Sequence, residues 1–336
     1  MTSEFFDLTP AQQAGRLKEA AVIALRQWGI TGAELDLIKH RENAVFKVEY
    51  DGHRVALRIH RHGYHSDAEL RSELQWMQAL ERADIHTPNV IPANSGDLFA
   101  CVEMPGLPGA MQIDLFEWID GDQLGSVEEG LADSESVTRT YTTIGELAAR
   151  VHNQASSWAL PDGFTRHAWD AEGLAGENPF WGRFWELEAA SRAERELLTR
   201  GRDRIFAELS ALPKTKKTYS MIHADFAPEN LMVGQDTVRL IDFDDAGFGW
   251  HLFELATSLY FIMDEPYFEA AKLALIDGYR THRPLSDEQL ARLPLFFLAR
   301  GFTYVGWVHT RQETDTAREL TPMLLDAACA LANGYL

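Results

Sequence analysis

Cysteine is nearly absent from this 336-residue sequence: Cys101 and Cys329 are far apart, and neither belongs to a C-x-x-C pair. No disulfide framework or zinc cluster can be assembled from them, and a reducing cytoplasmic compartment is expected. Long apolar runs are missing too. The best candidate, LPLFFLARGFTYVGWV, is broken by Arg300 and two glycines, so no membrane span is expected. The opening MTSEFFDLTP lacks a basic stretch followed by an apolar one and does not read as a secretory signal. Positive charge is scarce, with 31 Lys and Arg against 51 Asp and Glu, for a net charge of −20. A nucleic-acid partner, which needs a basic footprint, is therefore not expected. A cationic small-molecule partner is compatible with this balance, as is simple solubility. Neither G-x-x-x-x-G-K-[ST] nor G-x-G-x-x-G occurs, which excludes a P-loop and a dinucleotide fingerprint.

What is present divides the chain in two. LTPAQQAGRLKEAAVIALRQWGI opens with Thr9 as N-cap, Pro10 at the first helical position and Gln12 completing a capping box, and Gly29 closes it. AELDLIKH, AVFKVEY and HRVALRIHR read as strands, the last two joined by Asp51–Gly52, a hairpin signal. SDAELRSELQWMQALERA reads as a helix with Leu70, Leu74, Met77 and Leu80 on one face. NVIPA, DLFACVEM and MQIDLFEWI read as further strands. From about Ser126 onward the segments read as helical, including FWGRFWELEAASRAERELLTRGRDRIFAELSAL, interrupted only by the short strands YSMIHAD and VRLIDFD. The expected fold class is α+β: a small antiparallel-sheet N-lobe with one inserted helix over residues 1–115, a junction at 116–121, and a mostly helical C-lobe over 122–336.

The densest chemistry lies in MIHADFAPENLMVGQDTVRLIDFDDAGFGW, residues 221–250. Carboxylates repel one another when crowded, so this cluster asks for a reason. Asn230 follows Asp225 by five residues, and Asp242 follows Asn230 by twelve, at the end of an apolar strand. An amide oxygen and a carboxylate are hard ligands suited to Mg²⁺, leaving Asp225 to accept a proton from a hydroxyl. That division of labour is the one phosphoryl transfer needs. Each of these residues also favours turns and caps; the three together at this spacing favour the chemical reading. Asp244 and Asp245 stay unassigned, and His223 is read as a structural neighbour of the loop.

HADFAPEN and LIDFDDAGFG resemble the loop and metal-strand motifs of the phosphotransferase family that includes aminoglycoside phosphotransferases and choline and homoserine kinases. The resembled family also includes a bacterial stress-response protein kinase, and it implies a protein-kinase-like fold. The family writes the loop H-G-D-x-x-x-x-N, and Ala224 stands where Gly is usual; the change is expected to be tolerated. FELATSLYF resembles the following D-L-A helix, with Glu254 in place of Asp, and IGELAARVHNQ resembles G-x-L-A-x-L-H. The resemblance spans roughly residues 35–310 and implies an ATP- and Mg²⁺-dependent transfer to a hydroxyl. Asp225 would be the catalytic residue, and Asn230 and Asp242 the metal ligands.

It also implies a nucleotide site. In VALRIHR, Arg58 stands where V-A-I-K places Lys. Arg is a planar fork and Lys a point charge, so the geometry must differ. Its partner on the inserted helix would be Glu73, with Glu69 one turn earlier as the alternative. Asn43, with Glu42 and Ala44, would form the phosphate turn. Phe116 would flank the adenine, and the backbone of Glu117 and Ile119 would face its edge. HRHGYH (His60, His62, His65) is read as surface or phosphate-proximal charge rather than a metal cluster. The acceptor would be a small-molecule hydroxyl compound (an amino alcohol, an aminoglycoside or homoserine), with a protein Ser/Thr substrate or a regulatory module without catalysis as alternatives. Tyr304, Trp307 and His309 either line its pocket, with Trp307 or Tyr304 offering cation–π contact to an amine, or pack their helix.

Overall fold

The computed structural model describes residues 3–40, 42–125, 134–234 and 237–336. The start of the helical part placed near Ser126 lies outside them. The chain forms two compact units. One comprises Met1–Asp122, Leu160–Thr165 and Met232–Ile241; the other comprises Gln123–Ala159, Arg166–Leu231 and Asp242–Leu336. The first is therefore assembled from three separate stretches rather than from one N-terminal block.

In the first unit, helix α1 (Pro10–Leu25) starts on the expected capping box. Gln12 donates its N–H to Thr9 Oγ1, and the Gln12 side chain accepts the Thr9 N–H at 2.9 Å. Strands β1 (Glu34–His40), β2 (Ala44–Tyr50), β3 (His53–Ile59), β4 (Phe99–Val102) and β5 (Met111–Glu117) form an antiparallel sheet in the order β1-β2-β3-β5-β4. Asp51 (φ 47°) and Gly52 (φ 77°) make the β2–β3 turn, the left-handed pair that a two-residue hairpin requires. Alternate residues Phe46, Val48, Leu57, Ile59, Ile113 and Leu115 bury one face of the sheet with Leu17, Ala21 and Ala24 of α1. Helix α2 (Asp67–Glu81) follows β3 and buries Leu70, Leu74, Met77 and Leu80. NVIPA is not a strand: Val90 makes a single bridge to Phe116, and Pro92 has no N–H to extend a ladder.

The second unit is mainly helical. Its helices are α3 (Ser134–Ser157), α4 (Arg192–Ala211), α5 (His251–Tyr260), α6 (Phe268–His282), α7 (Leu293–His309) and α8 (Asp315–Tyr335). The helix expected from FWGRFWELEAAS onward starts only at Arg192. Ser191 caps it in a box with Glu194, and Gly182 at φ 96° turns the chain beforehand. Strands β6 (Ala168–Trp169), β7 (Tyr219–Ile222) and β8 (Gly247–Trp250) form a small sheet in which β8 pairs with β6 in parallel and with β7 antiparallel. This sheet holds the two ends of the acidic stretch in register: Gly247 pairs with Ile222 and Trp250 with Tyr219. Among the described residues no helix is long and apolar enough to cross a membrane.

Candidate active site

β7 runs into the loop His223–Asn230. Its backbone is turned by Ala224 at φ 63°, in the left-handed region where a Cβ costs about 1–2 kcal/mol. Glu254, fully buried on α5, receives the N–H groups of His223 (2.8 Å) and Ala224 (2.6 Å). Burial pushes the Glu254 carboxyl above its usual value, against the pull of His223, the two N–H donors and Arg300. A glycine would relieve the Ala224 strain while leaving its N–H in place. Ala224→Gly is therefore expected to raise stability by up to about 1 kcal/mol, or leave it unchanged, with turnover intact; thermal denaturation and an activity assay check both.

Asp225 and Asn230 meet at the loop's two ends. The Asn230 amide donates from Nδ2 to Asp225 Oδ2 (2.7 Å) and to the Asp225 carbonyl (2.8 Å). A single 3₁₀ turn, Pro228–Asn230, brings the Asn back toward the Asp. With its NH₂ spent on Asp225, the amide oxygen is the end left for a hard cation. Arg300 Nη2 lies 3.5 Å from Asp225 Oδ1. Sequence reasoning noted Arg300 only as the residue interrupting an apolar helix.

Asp242 opens the second acidic turn at φ 65°, a conformation Asp tolerates better than most residues. The turn is clamped through its backbone. Arg166 donates from Nε to the Ala246 carbonyl (2.6 Å) and from Nη2 to the Asp244 carbonyl (2.6 Å), and Trp169 Nε1 donates to the Asp245 carbonyl (2.8 Å). Arg166 is another functional neighbour that sequence reasoning missed, since a lone Arg in GFTRHAWD carries no motif. Asn230 and Asp242 together offer the two hard oxygens that a magnesium ion takes from protein, so the donor set fits that ion.

In the first unit, Arg58 is buried and held by two carboxylates. Nε and Nη2 bond Asp114 at 3.1 and 2.7 Å, and Nη2 bonds Glu73 at 2.7 Å. The choice between Glu73 and Glu69 is resolved geometrically, because Glu69 is the capping-box partner of Ser66. Burial alone would raise the Asp114 carboxyl, but Arg58 and His60 outweigh it and hold it below its usual value. His60 Nε2 lies 2.9 Å from Asp114 Oδ2. The surface reading of HRHGYH is thereby corrected: His60 and His65 are buried, His60 against Asp114, and only His62 is exposed. Phe116 is buried with its ring 5.1 Å from the Arg58 guanidinium. Glu117 gives its backbone N–H to the Asn89 carbonyl, and Ile119 lies beyond the end of β5. Asn43 Oδ1 accepts the Arg61 N–H at 3.0 Å, tying the β1–β2 turn to the end of β3.

The aromatic residues offered for an acceptor amine already face the chain's own cations. The Tyr304 ring lies 4.3 Å from the Arg300 guanidinium and the Trp307 ring 5.1 Å from that of Arg311. His309 is half-buried, with burial lowering its pKa.

The family model described as "Phosphotransferase enzyme family" matches residues 35–288, three-quarters of the chain. The chain belongs to this family. Among solved structures, a microcompartment-associated aminopropanol kinase is similar at 30% identity and a TM-score of 0.82, covering 95% of this chain and 97% of that one. An amicoumacin kinase in complex with AMP-PNP and Ca²⁺ shares the fold at 18% identity and a TM-score of 0.74, with 96% and 94% covered. The Rhizobium etli homoserine kinase is 28% identical over 231 residues, 67% of this chain and 63% of that protein. This phosphotransferase thus has the α+β, protein-kinase-like fold of its family.

The phosphotransferase also buries two stacked histidines, His152 of α3 and His251 of α5, with ring centroids 4.1 Å apart. His152 Nδ1 lies 2.9 Å from the Tyr279 hydroxyl, and His251 Nε2 lies 2.9 Å from Ser220 Oγ. Burial, chiefly, holds both well below 6.5, with Arg283 adding repulsion. A histidine with a depressed folded pKa stabilises fully above its unfolded value. That contribution is lost as pH falls from 6.5 toward the folded value, at about 1.4 kcal/mol per pH unit for each ring. Glu254, raised and 3.6 Å from His152, works in the opposite sense but is one group against two. The melting temperature is expected to fall between pH 7.5 and pH 5.5, as calorimetry at both pH values will test.

Proposed function

We propose that the chain is an ATP- and Mg²⁺-dependent kinase that phosphorylates the hydroxyl of a small amino alcohol. The observation that carries this reading is the Asp225–Asn230 pair: a half-buried carboxylate with one oxygen held by Asn230 Nδ2 at 2.7 Å. A fixed carboxylate can receive the acceptor's hydroxyl proton as that oxygen attacks the γ-phosphorus and the bond to the bridging oxygen breaks, releasing ADP. Asn230 and Asp242 would hold the metal ion, which supplies charge neutralisation to the phosphates when bound. Arg58, fixed by Glu73 and Asp114, would meet phosphate oxygens; the turn at Asn43 would cover them; Phe116, Glu117 and Ile119 would receive the adenine.

An amino alcohol is favoured over other acceptors by the aminopropanol kinase, which aligns with nearly the whole chain, 95% of it, at 30% identity. The homoserine kinase alignment covers about two-thirds. The net charge of −20 suits a cationic acceptor. The test is mass-spectrometric detection of phosphorylated product from 1-amino-2-propanol, ethanolamine, choline, homoserine and an aminoglycoside, each with Mg·ATP. Phosphorylation of the amino alcohols above the others is expected. Selective phosphorylation of homoserine or of the aminoglycoside would overturn the substrate assignment. A thermal shift with Mg·ATP but no ADP formation on any acceptor would favour a regulatory module instead.

A further inference from the structure

Arg300 is fully buried in α7. Its guanidinium lies among aromatic rings, 4.3 Å from that of Tyr304, 5.0 Å from Trp181 and 5.5 Å from Phe253. Its polar partners are few. Nη2 donates to the Tyr304 hydroxyl at 2.8 Å and lies 3.5 Å from Asp225 Oδ1, while Nε and Nη1 are buried with no hydrogen-bond partner among the described residues. Taking a guanidinium out of water costs several kcal/mol, and unmet donors add to that cost. A leucine or methionine at this point of an apolar helix would stabilise the unit better. The charge therefore calls for a purpose other than stability, and the carboxylate it reaches is Asp225.

Asp225 has two oxygens and needs one orientation. Asn230 holds Oδ2. A carboxylate held by one oxygen can still rotate about its Cβ–Cγ bond, a broad two-fold torsion. We propose that Arg300, itself steadied by the Tyr304 hydroxyl, is a positioning residue that fixes the Asp225 carboxylate through the oxygen Asn230 does not hold. The inference rests on the phosphotransferase reading, with Asp225 facing the acceptor. Arg300 remains charged in this niche: burial disfavours the cation, and Tyr304, Asp225 and Asp245 together more than restore it. It touches neither substrate nor metal in this scheme and works only through Asp225.

The test compares Arg300→Lys, Tyr304→Phe, Asp225→Asn and the double variant Asp225→Asn/Arg300→Lys. Each is assayed for kcat and for KM of ATP, with 1-amino-2-propanol as acceptor and, independently of any acceptor, with water in slow ATP hydrolysis. Thermal midpoints report folding. Misplacing a reacting group without removing it should lower kcat of Arg300→Lys by about 10- to 100-fold with KM for ATP unchanged. Tyr304→Phe, which removes one hydroxyl and no charge, should lower kcat by about fivefold. In the Asp225→Asn background, Arg300→Lys should cause no further loss. If Arg300→Lys does not fold, Tyr304→Phe decides, and full turnover in that variant overturns the proposal. Equal losses in both backgrounds, or a KM for ATP that rises with the fall in kcat, also overturn it, since either marks a structural role. Retained turnover in Asp225→Asn would instead remove the catalytic reading on which the inference stands.

Discussion

Asp225→Asn is expected to lower turnover by about 10²- to 10⁴-fold, the range a positioned proton acceptor contributes, while leaving Mg·ATP affinity near that of the wild type. The substitution is nearly isosteric, but it leaves one acceptor oxygen where there were two. Asn230 Nδ2 sits on one oxygen at 2.7 Å and Arg300 Nη2 lies 3.5 Å from the other. An amide cannot accept from both, so one partner would face an NH₂ group. If the oxygen turns to Asn230, Arg300 loses the carboxylate it reaches, and the apo protein should melt at a lower temperature. The proposed metal donors, Asn230 Oδ1 and Asp242, are untouched, so a thermal shift with Mg·ATP should persist. Steady-state turnover and thermal shift on the same preparation separate these effects. Turnover at the wild-type rate would remove Asp225 from the chemistry.

Arg58→Lys is the second substitution with a large expected effect, although it keeps the charge. The guanidinium bonds Asp114 through Nε and Nη2 and reaches Glu73 through Nη2. A lysine ammonium is a point charge and cannot reproduce that fork. One buried carboxylate would be left short of its partner, and uncompensated buried charge costs about 3–5 kcal/mol when a partner is removed outright. A retained ammonium should bring the loss nearer 2 kcal/mol, with a fall in kcat because the cation no longer sits where the chain was built to hold it. Asp114→Asn should cost more than Glu73→Gln, because Asp114 accepts two of the Arg58 bonds and also faces His60. Denaturant titration of the three single variants, and of Arg58→Lys/Asp114→Asn, tests this. The double variant should be less destabilised than the sum of its parts if the cluster acts as a unit. Strict additivity would mean that Arg58 and Asp114 are not coupled.

Which parts of this site could be read from the sequence follows from how each residue is held. Asp225, Asn230 and Asp242 lie within eighteen positions of one another, so spacing alone announces them. Arg58 and Glu73 needed a strand followed by a helix, and the helix was plain from the periodicity of Leu70, Leu74, Met77 and Leu80. Asp114, Glu254, Arg166 and Arg300 were not legible as partners. Each acts through a contact made across the fold, on a residue at least 30 positions away. An isolated charge in an apolar segment looks the same whether it is buried or faces water. The fold shows the same division. The hairpin and the Thr9-capped helix depend on neighbours in sequence and were placed correctly. The false helix at FWGRFW arose because aromatic spacing fits 3.6 residues per turn, whereas Gly182 turns the backbone and Ser191 supplies the true start. NVIPA failed as a strand for want of a donor at Pro92.

The first unit takes its last piece from Met232–Ile241. Within it, Leu240 donates its N–H to the His86 carbonyl at 2.9 Å, and Thr165 donates its N–H to Ser72 Oγ at 2.9 Å. On the ribosome the sheet-bearing unit therefore cannot make its last seam when its own sheet has emerged. It waits until some 240 residues have been made, and the strand that completes it leads directly into Asp242. A fragment ending at Asp122 would leave those seams unmade, so the order of synthesis ties completion of one unit to delivery of the Asp242 turn of the other.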